Sequence, residues 1–269
     1  MELVHFSVRR MLLLAHHTLR EAARQRMWHA LLVLAFGLVL GAQFFRELNF
    51  GTPELRFLAD FGLGAMALFG TVFTVVATTQ LFFTELENRT VQTLLAKPVG
   101  RGEFIVGKLL GVAAMIGVFC ALLTALLAVV VWTRETALMR ELPEAFPAGR
   151  VTSYAHLAVA GFFQWLKLAV LSALTLLVAS YARTQLFTVV MGFLLFGICH
   201  LQYLARDGGT IGELLGLVFP NFQLFNHADA LGTGATLPWA HVARISLYAF
   251  GYMAAAGGLA VFSFGRREL

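Results

Sequence analysis

Phe83-Thr84-Glu85-Leu86-Glu87-Asn88-Arg89-Thr90-Val91-Gln92-Thr93-Leu94-Leu95-Ala96-Lys97-Pro98-Val99-Gly100-Arg101-Gly102-Glu103 is the longest polar island between two long apolar runs. Its punctuation is helical. Thr84 stands three residues before Glu87, the spacing of a capping box. Glu85 and Glu87 suit the positive end of the helix dipole and Lys97 the negative end. Pro98 stops the helix, and Gly100 and Gly102 make the turn into the next one. Leu86, Thr90 and Leu94 recur at i, i+4 spacing with Val91 and Leu95 one step off, while Glu85, Asn88, Arg89 and Gln92 form the opposite, wet face. The spacing predicts a short, capped, two-faced helix between membrane spans, which is a docking element. A solvated connecting loop has no need of such capping.

Working outward, 59% of the 269 residues are hydrophobic, 13% are charged, and mean hydropathy is +0.77. Soluble domains carry about 25% charged residues, so this composition predicts an integral membrane protein. The apolar runs are continuous rather than alternating, which predicts helices and not a barrel. Spans and short connections consume the chain as one unit over residues 1–269, with no separate soluble domain. The net charge of +5 is read as the positive-inside bias and not as a nucleic-acid signal. Cys120 and Cys199 lie inside apolar runs and read as inert packing thiols.

Residues 1–26 are basic and amphipathic: Phe6, Val8, Met11, Leu12, Leu14 and Leu19 alternate with Arg9, Arg10, Arg20, Arg24 and Arg26. That pattern suits a helix lying among lipid headgroups, and no cleavable signal peptide is expected. Six transmembrane spans are expected at about 28–45, 61–83, 104–132, 156–180, 186–204 and 242–264. Trp28 opens the first at an interface. Polar loops are expected over 46–60 and 133–155, and a tight hairpin over 181–185. Residues 211–219 are too short to cross ~30 Å at 1.5 Å per residue. The segment before span six therefore reads as partly re-entrant, with Phe222, Leu224 and Phe225 interfacial. Gly62, Gly64 and Gly70 in span two, and Gly107 and Gly111 in span three, permit close helix approach.

Several motifs tempt. Gly102 to Lys108 spells a phosphate-loop pattern, but Leu109 follows where Ser or Thr is needed, and no strand precedes it. Gly62-Leu63-Gly64-Ala65-Met66-Ala67 resembles a dinucleotide turn but lies inside a span. The eight histidines are scattered, so no metal site is expected. Lys167 is the most membrane-embedded charge, ~21 Å from the boundary at Tyr181. Snorkelling to the far face explains it; a place on a substrate pathway is the rival and makes it the candidate substrate-binding residue. No catalytic constellation is evident, and the chain is not expected to be an enzyme.

Residues Glu85 to Gly111 resemble the E-x-x-x-x-T-x-x-x-L-L-x-x-P-[VIL]-x-R-x-x-[FI]-x-x-G-K-x-x-G pattern of ABC-2-type transporter permeases. Within these they are similar to the branch that includes the copper-maturation permease of nitrous oxide reductase. The resemblance implies an all-α fold with an N-terminal elbow helix (1–26), six spans, a cytoplasmic coupling helix between spans two and three, a partly re-entrant segment before span six, and a basic tail. It implies a bacterial inner-membrane permease subunit, dimeric with a second copy or a paralogue, driven by two cytoplasmic ATPase subunits that bind ATP and magnesium. This chain itself is expected to hold no cofactor. Glu85, Glu87, Asn88, Arg89, Thr90, Gln92 and Arg101 are then the ATPase contacts. Substrate export is the implied function. The alternative is an ATPase-driven mechanotransmitter that moves a periplasmic partner without passing solute.

Charge chooses the orientation. Twelve Lys and Arg fall on the side of the termini and residues 84–103 and seven on the other, Lys167 lying within a span. Both termini and the docking stretch are therefore expected in the cytoplasm. A cysteine substituted at Asn88 should resist membrane-impermeant thiol reagents until the cells are permeabilised; labelling of intact cells would reverse the topology.

Overall fold

A computed structural model describes residues 7–42, 52–87, 100–147, 149–201, 216, 218–226 and 238–266. Among the described residues seven α-helices follow one another: α1 Val8–Arg24, α2 Arg26–Gly41, α3 Thr52–Glu87, α4 Arg101–Glu141, α5 Tyr154–Tyr181, α6 Gln185–Leu201 and α7 Trp239–Gly265. Among the described residues there is no strand. Four helices, α3, α4, α5 and α7, are long and apolar enough to cross a membrane, and α2 and α6 are shorter apolar helices. The chain is a multi-pass helical membrane protein.

Helix α5 is the hub, packing against α3, α4, α6 and α7. Its face-to-face burial explains why Leu166, Leu168, Ala169, Val170 and Leu171 are all inaccessible, a helix apolar all round being one enclosed on all sides. Trp28, expected at an interface, instead sits in the core with its ring 5.0 Å from Phe73 and 5.7 Å from Phe119. The aromatic contact area outweighs what the indole gains at a headgroup boundary.

The bends fall where backbone hydrogen bonding is interrupted. Gln25 is extended (φ −68°, ψ 131°) and separates α1 from α2. The hairpin between α5 and α6 is as tight as expected, and the Thr184 hydroxyl accepts from the backbone N–H of Phe187 at 3.3 Å. Two expected loops are shorter than read. Residues 52–60 already belong to α3, and α4 runs on through 133–141, because ion pairs described below satisfy the charges that suggested a loop. Before α7, Phe222–Phe225 form a 3-10 turn in which Phe222 and Phe225 are buried and only Leu224 is exposed. These two rings are core plugs and not interfacial anchors. The 3-10 turn is pinned by Asn221, whose backbone N–H donates to the Tyr248 hydroxyl at 2.8 Å. The expected short helix at 211–219 lies mostly outside the described residues.

The glycine spacing in α4 finds its partner in α1, not in another long helix. A Cβ at Gly107 would stand 2.7 Å from Leu14 Cβ, and one at Gly111 would stand 2.5 Å from Thr18 Cβ and 2.7 Å from the Ala15 carbonyl oxygen. Gly64, by contrast, faces open space. Gly111→Leu should therefore lower stability by about 1–3 kcal/mol through overpacking, read as a lower apparent Tm in detergent. Gly64→Leu should leave it near the parent value. Equal behaviour of the two variants would remove the close α1–α4 approach from the account.

Candidate functional site

Helix α3 continues unbroken to Glu87. Thr84 therefore lies within α3 and is not the N-cap of a separate helix. Glu85 is answered by Lys108 of α4. Its ammonium lies 2.7 Å from Glu85 Oε1 and 3.4 Å from Glu21 Oε2, and the Lys108 side chain is 4% exposed. Glu85, expected on the wet face, is thus buried and turned inward. Glu87 and Thr84 are exposed. Asn88, Arg89, Thr90 and Gln92 lie outside the described residues, as does the predicted helix to Lys97.

The other flank, at the start of α4, is anchored as firmly. Glu103 is buried, and its carboxylate accepts from the backbone N–H of Gly100 at 3.0 Å and of Ser7 at 2.6 Å. The bond donated by the Gly100 N–H to the Glu103 carboxylate three residues on is one half of a capping box, found here and not at Thr84. Arg10 of α1 approaches the same carboxylate at 3.8 Å. Arg101 reaches across to the end of α7 and donates to the carbonyl oxygens of Phe264 at 3.3 Å and Gly265 at 2.7 Å. A guanidinium at these last-turn carbonyls suits the negative end of the helix dipole. Beneath these polar ties Phe82, Phe104 and Phe264 form an aromatic cluster with centroids 5.7–6.2 Å apart.

The arrangement brings α1, α3, α4 and α7 to a single junction on either side of residues 88–99. His17, Glu21 and Glu85 offer ligand atoms within 4.8 Å of one another. With the Lys108 ammonium already between the two carboxylates, this trio works as an ion-pair junction. Lys108 and Glu21 were not singled out for this role from sequence. The signal was present: Glu21 is the single acid in the basic helix α1.

The far end of the bundle is also tied by charge. Arg134 of α4 holds Glu54 of α3 through two nitrogens, at 2.5 and 3.1 Å. Glu135, fully buried, accepts from the backbone N–H groups of Val151 and Thr152, both at 2.9 Å, and from the Tyr154 hydroxyl at 2.6 Å.

Lys167 does not reach a surface. It is 5% exposed and lies on the wall of a cavity of about 380 Å³ between α3, α5, α6 and the 3-10 turn. Gln164, His200 and Asn226 line the same cavity, with Asp60 at its rim.

The chain matches the family described as ABC-2 family transporter protein over residues 12–206, most of its length, and it belongs to that family. That match takes in α2 to α6, most of α1, the Lys108–Glu85–Glu21 ion pairs and Lys167, and stops short of α7 and the 3-10 turn. No curated protein shows a significant match to the chain.

Removing the buried cation tests the junction. Lys108→Met should cost about 3–5 kcal/mol, the usual penalty for leaving a buried charge without its partner. Lys108→Met/Glu85→Leu should recover a large part of that loss. A double variant no more stable than the single one would mean that the pair does not couple α3 to α4.

Proposed function

We propose that the chain is the transmembrane permease subunit of an ATP-binding cassette transporter and couples ATP hydrolysis by a separate cytoplasmic ATPase to substrate export. The observation that carries this reading is the junction. The two flanks of residues 88–99 are locked to four helices by buried ion pairs and backbone caps. A displacement applied to that segment is then passed to α1, α3, α4 and α7 together, the kind of rigid-element movement on which two-state transport depends.

In this reading residues 84–103 are the coupling element. Glu87, Asn88, Arg89, Thr90 and Gln92 present its docking surface, while Glu85 and Arg101 hold its base to the bundle. Helix α1 is the elbow helix, lying along the cytoplasmic headgroups. Helices α2 and α6 complete six spans with the residues that flank them, and the segment around Phe222 is partly re-entrant. Both termini face the cytoplasm of a bacterial inner membrane. The working assembly has two ATPase subunits, which bind the ATP and magnesium, and a second permease copy or paralogue.

A second reading is favoured by the far end. Helix α4 has 41 residues, about 60 Å at 1.5 Å per residue and so well beyond a hydrocarbon core of about 30 Å. Its projecting end is braced by Glu54, Tyr154 and the 150–152 backbone. Such a handle suits a mechanotransmitter that moves a periplasmic partner without passing solute.

Co-expression with a candidate ATPase decides the first point. The chain alone should hydrolyse no ATP and should co-purify with the nucleotide-binding subunit. Thr90→Pro should still insert in the membrane, because the long helices are untouched. It should lose the ATPase or its stimulated turnover, since proline in a helix costs about 3 kcal/mol or more. Unchanged assembly and turnover in Thr90→Pro would move the docking surface elsewhere.

A further inference from the structure

An ammonium inside a membrane bundle is costly to leave without a counter-charge, and such groups face a partner or a water-filled cavity. Lys108 and Arg134 obey this rule with carboxylates on neighbouring helices. Lys167 does not. It is as buried as Lys108, yet among the described residues no carboxylate lies within 4.0 Å of it and no hydrogen bond satisfies it. The nearest acid on the cavity wall is Asp60, which is exposed at the rim and lies 3.8 Å from Arg56.

The rest of the cavity has a consistent chemistry. Gln164, His200 and Asn226 all carry groups able to donate a hydrogen bond. His200 also has a buried Nδ1 with no hydrogen-bond partner among the described residues. Leu63, Ala67 and Phe225 supply an apolar wall. Gly64 leaves the space open, since a Cβ there meets nothing within 4 Å. The volume, about 380 Å³, is at the small end of ligand pockets. It takes a headgroup or a small organic anion, and not a whole lipid.

We propose that this cavity binds an anionic group, a carboxylate or a phosphate, with Lys167 supplying the counter-charge and Gln164, His200 and Asn226 the hydrogen bonds. The site extends from Lys167, midway along α5, to Asp60 and His200 near the far ends of α3 and α6. A ligand therefore enters from the end of the bundle opposite the junction, or from the lipid leaflet beside it. That this anion is cargo rests on the permease reading; that it binds does not.

The test is thermal unfolding of the full chain, purified in an uncharged detergent, with three probes. These are inorganic phosphate, a short-chain phosphatidylglycerol, and a phosphatidylcholine of the same chain length. One or both anionic probes should raise Tm by about 5 °C at roughly one hundred times their Kd, and phosphatidylcholine should leave it unchanged. A shift with phosphatidylglycerol alone identifies a lipid headgroup as the source of the anion, and a shift with phosphate identifies a soluble one. Lys167→Met should abolish the shift and Lys167→Arg should keep it. Gly64→Leu, which fills the cavity and leaves the charge in place, should also abolish it, so the outcome does not hang on Lys167→Met folding. Failure of both anions to shift Tm overturns the proposal, and so does a full shift in Gly64→Leu or Lys167→Met. Neither result depends on an ATPase, so failure here leaves the coupling reading standing.

Discussion

A charge buried among apolar helices must be answered by a charge or a dipole from another helix, and most of the architecture follows from how this chain meets that demand. Lys108 is answered by Glu85 and Glu21, and Arg134 by Glu54. Arg101 is answered by the terminal carbonyls of α7, and Glu103 by two backbone amides. Apart from the Gly100 amide, which caps Glu103's own helix, each answer comes from a different element, so each charge works as a cross-link. Hydrocarbon tails provide little hydrophobic drive for helix association, and these polar ties supply directional contacts that dispersion alone does not.

The ties are distributed unevenly. They gather at the two ends of α4, while its middle is held by rings and small residues: Trp28, Phe73 and Phe119 stack on one side, and Gly117 meets the Trp165 indole on another. Close packing in the middle fixes distances between helices, whereas the ion pairs at the ends fix their register along the bundle axis. Lys167 stands apart from both patterns, a mid-helix cation with no counter-charge among the described residues.

Much of this was legible in the chain, and the misses have physical causes. The continuous apolar runs revealed the helical membrane class, and Gly107 and Gly111 announced a close helix contact. They did not say that the contact is with α1, because spacing reports one face and not its partner. Thr84 and Glu87 imitate a capping box so well that the end of α3 was placed too early. The helix runs on through this stretch with Lys108, more than twenty residues on, reaching back to Glu85. Polar composition likewise made 133–141 look like a loop, although buried partners for Arg134 and Glu135 let the helix continue. Local sequence cannot show that a charge is satisfied at a distance. The proposed docking surface, from Asn88 to Gln92, rests on its sequence pattern alone and falls outside the described residues.

The length of α4 has a mechanical consequence. Gripped at its midpoint by the aromatic contacts, a straight rod of about 60 Å that tilts by about 5° carries each tip through about 3 Å in opposite directions. A see-saw of that kind turns a small push at Arg101 into an equal and opposite swing at Glu141. Under the proposed coupling, one uninterrupted helix carries the stroke from end to end, with no intervening joint at which it is lost.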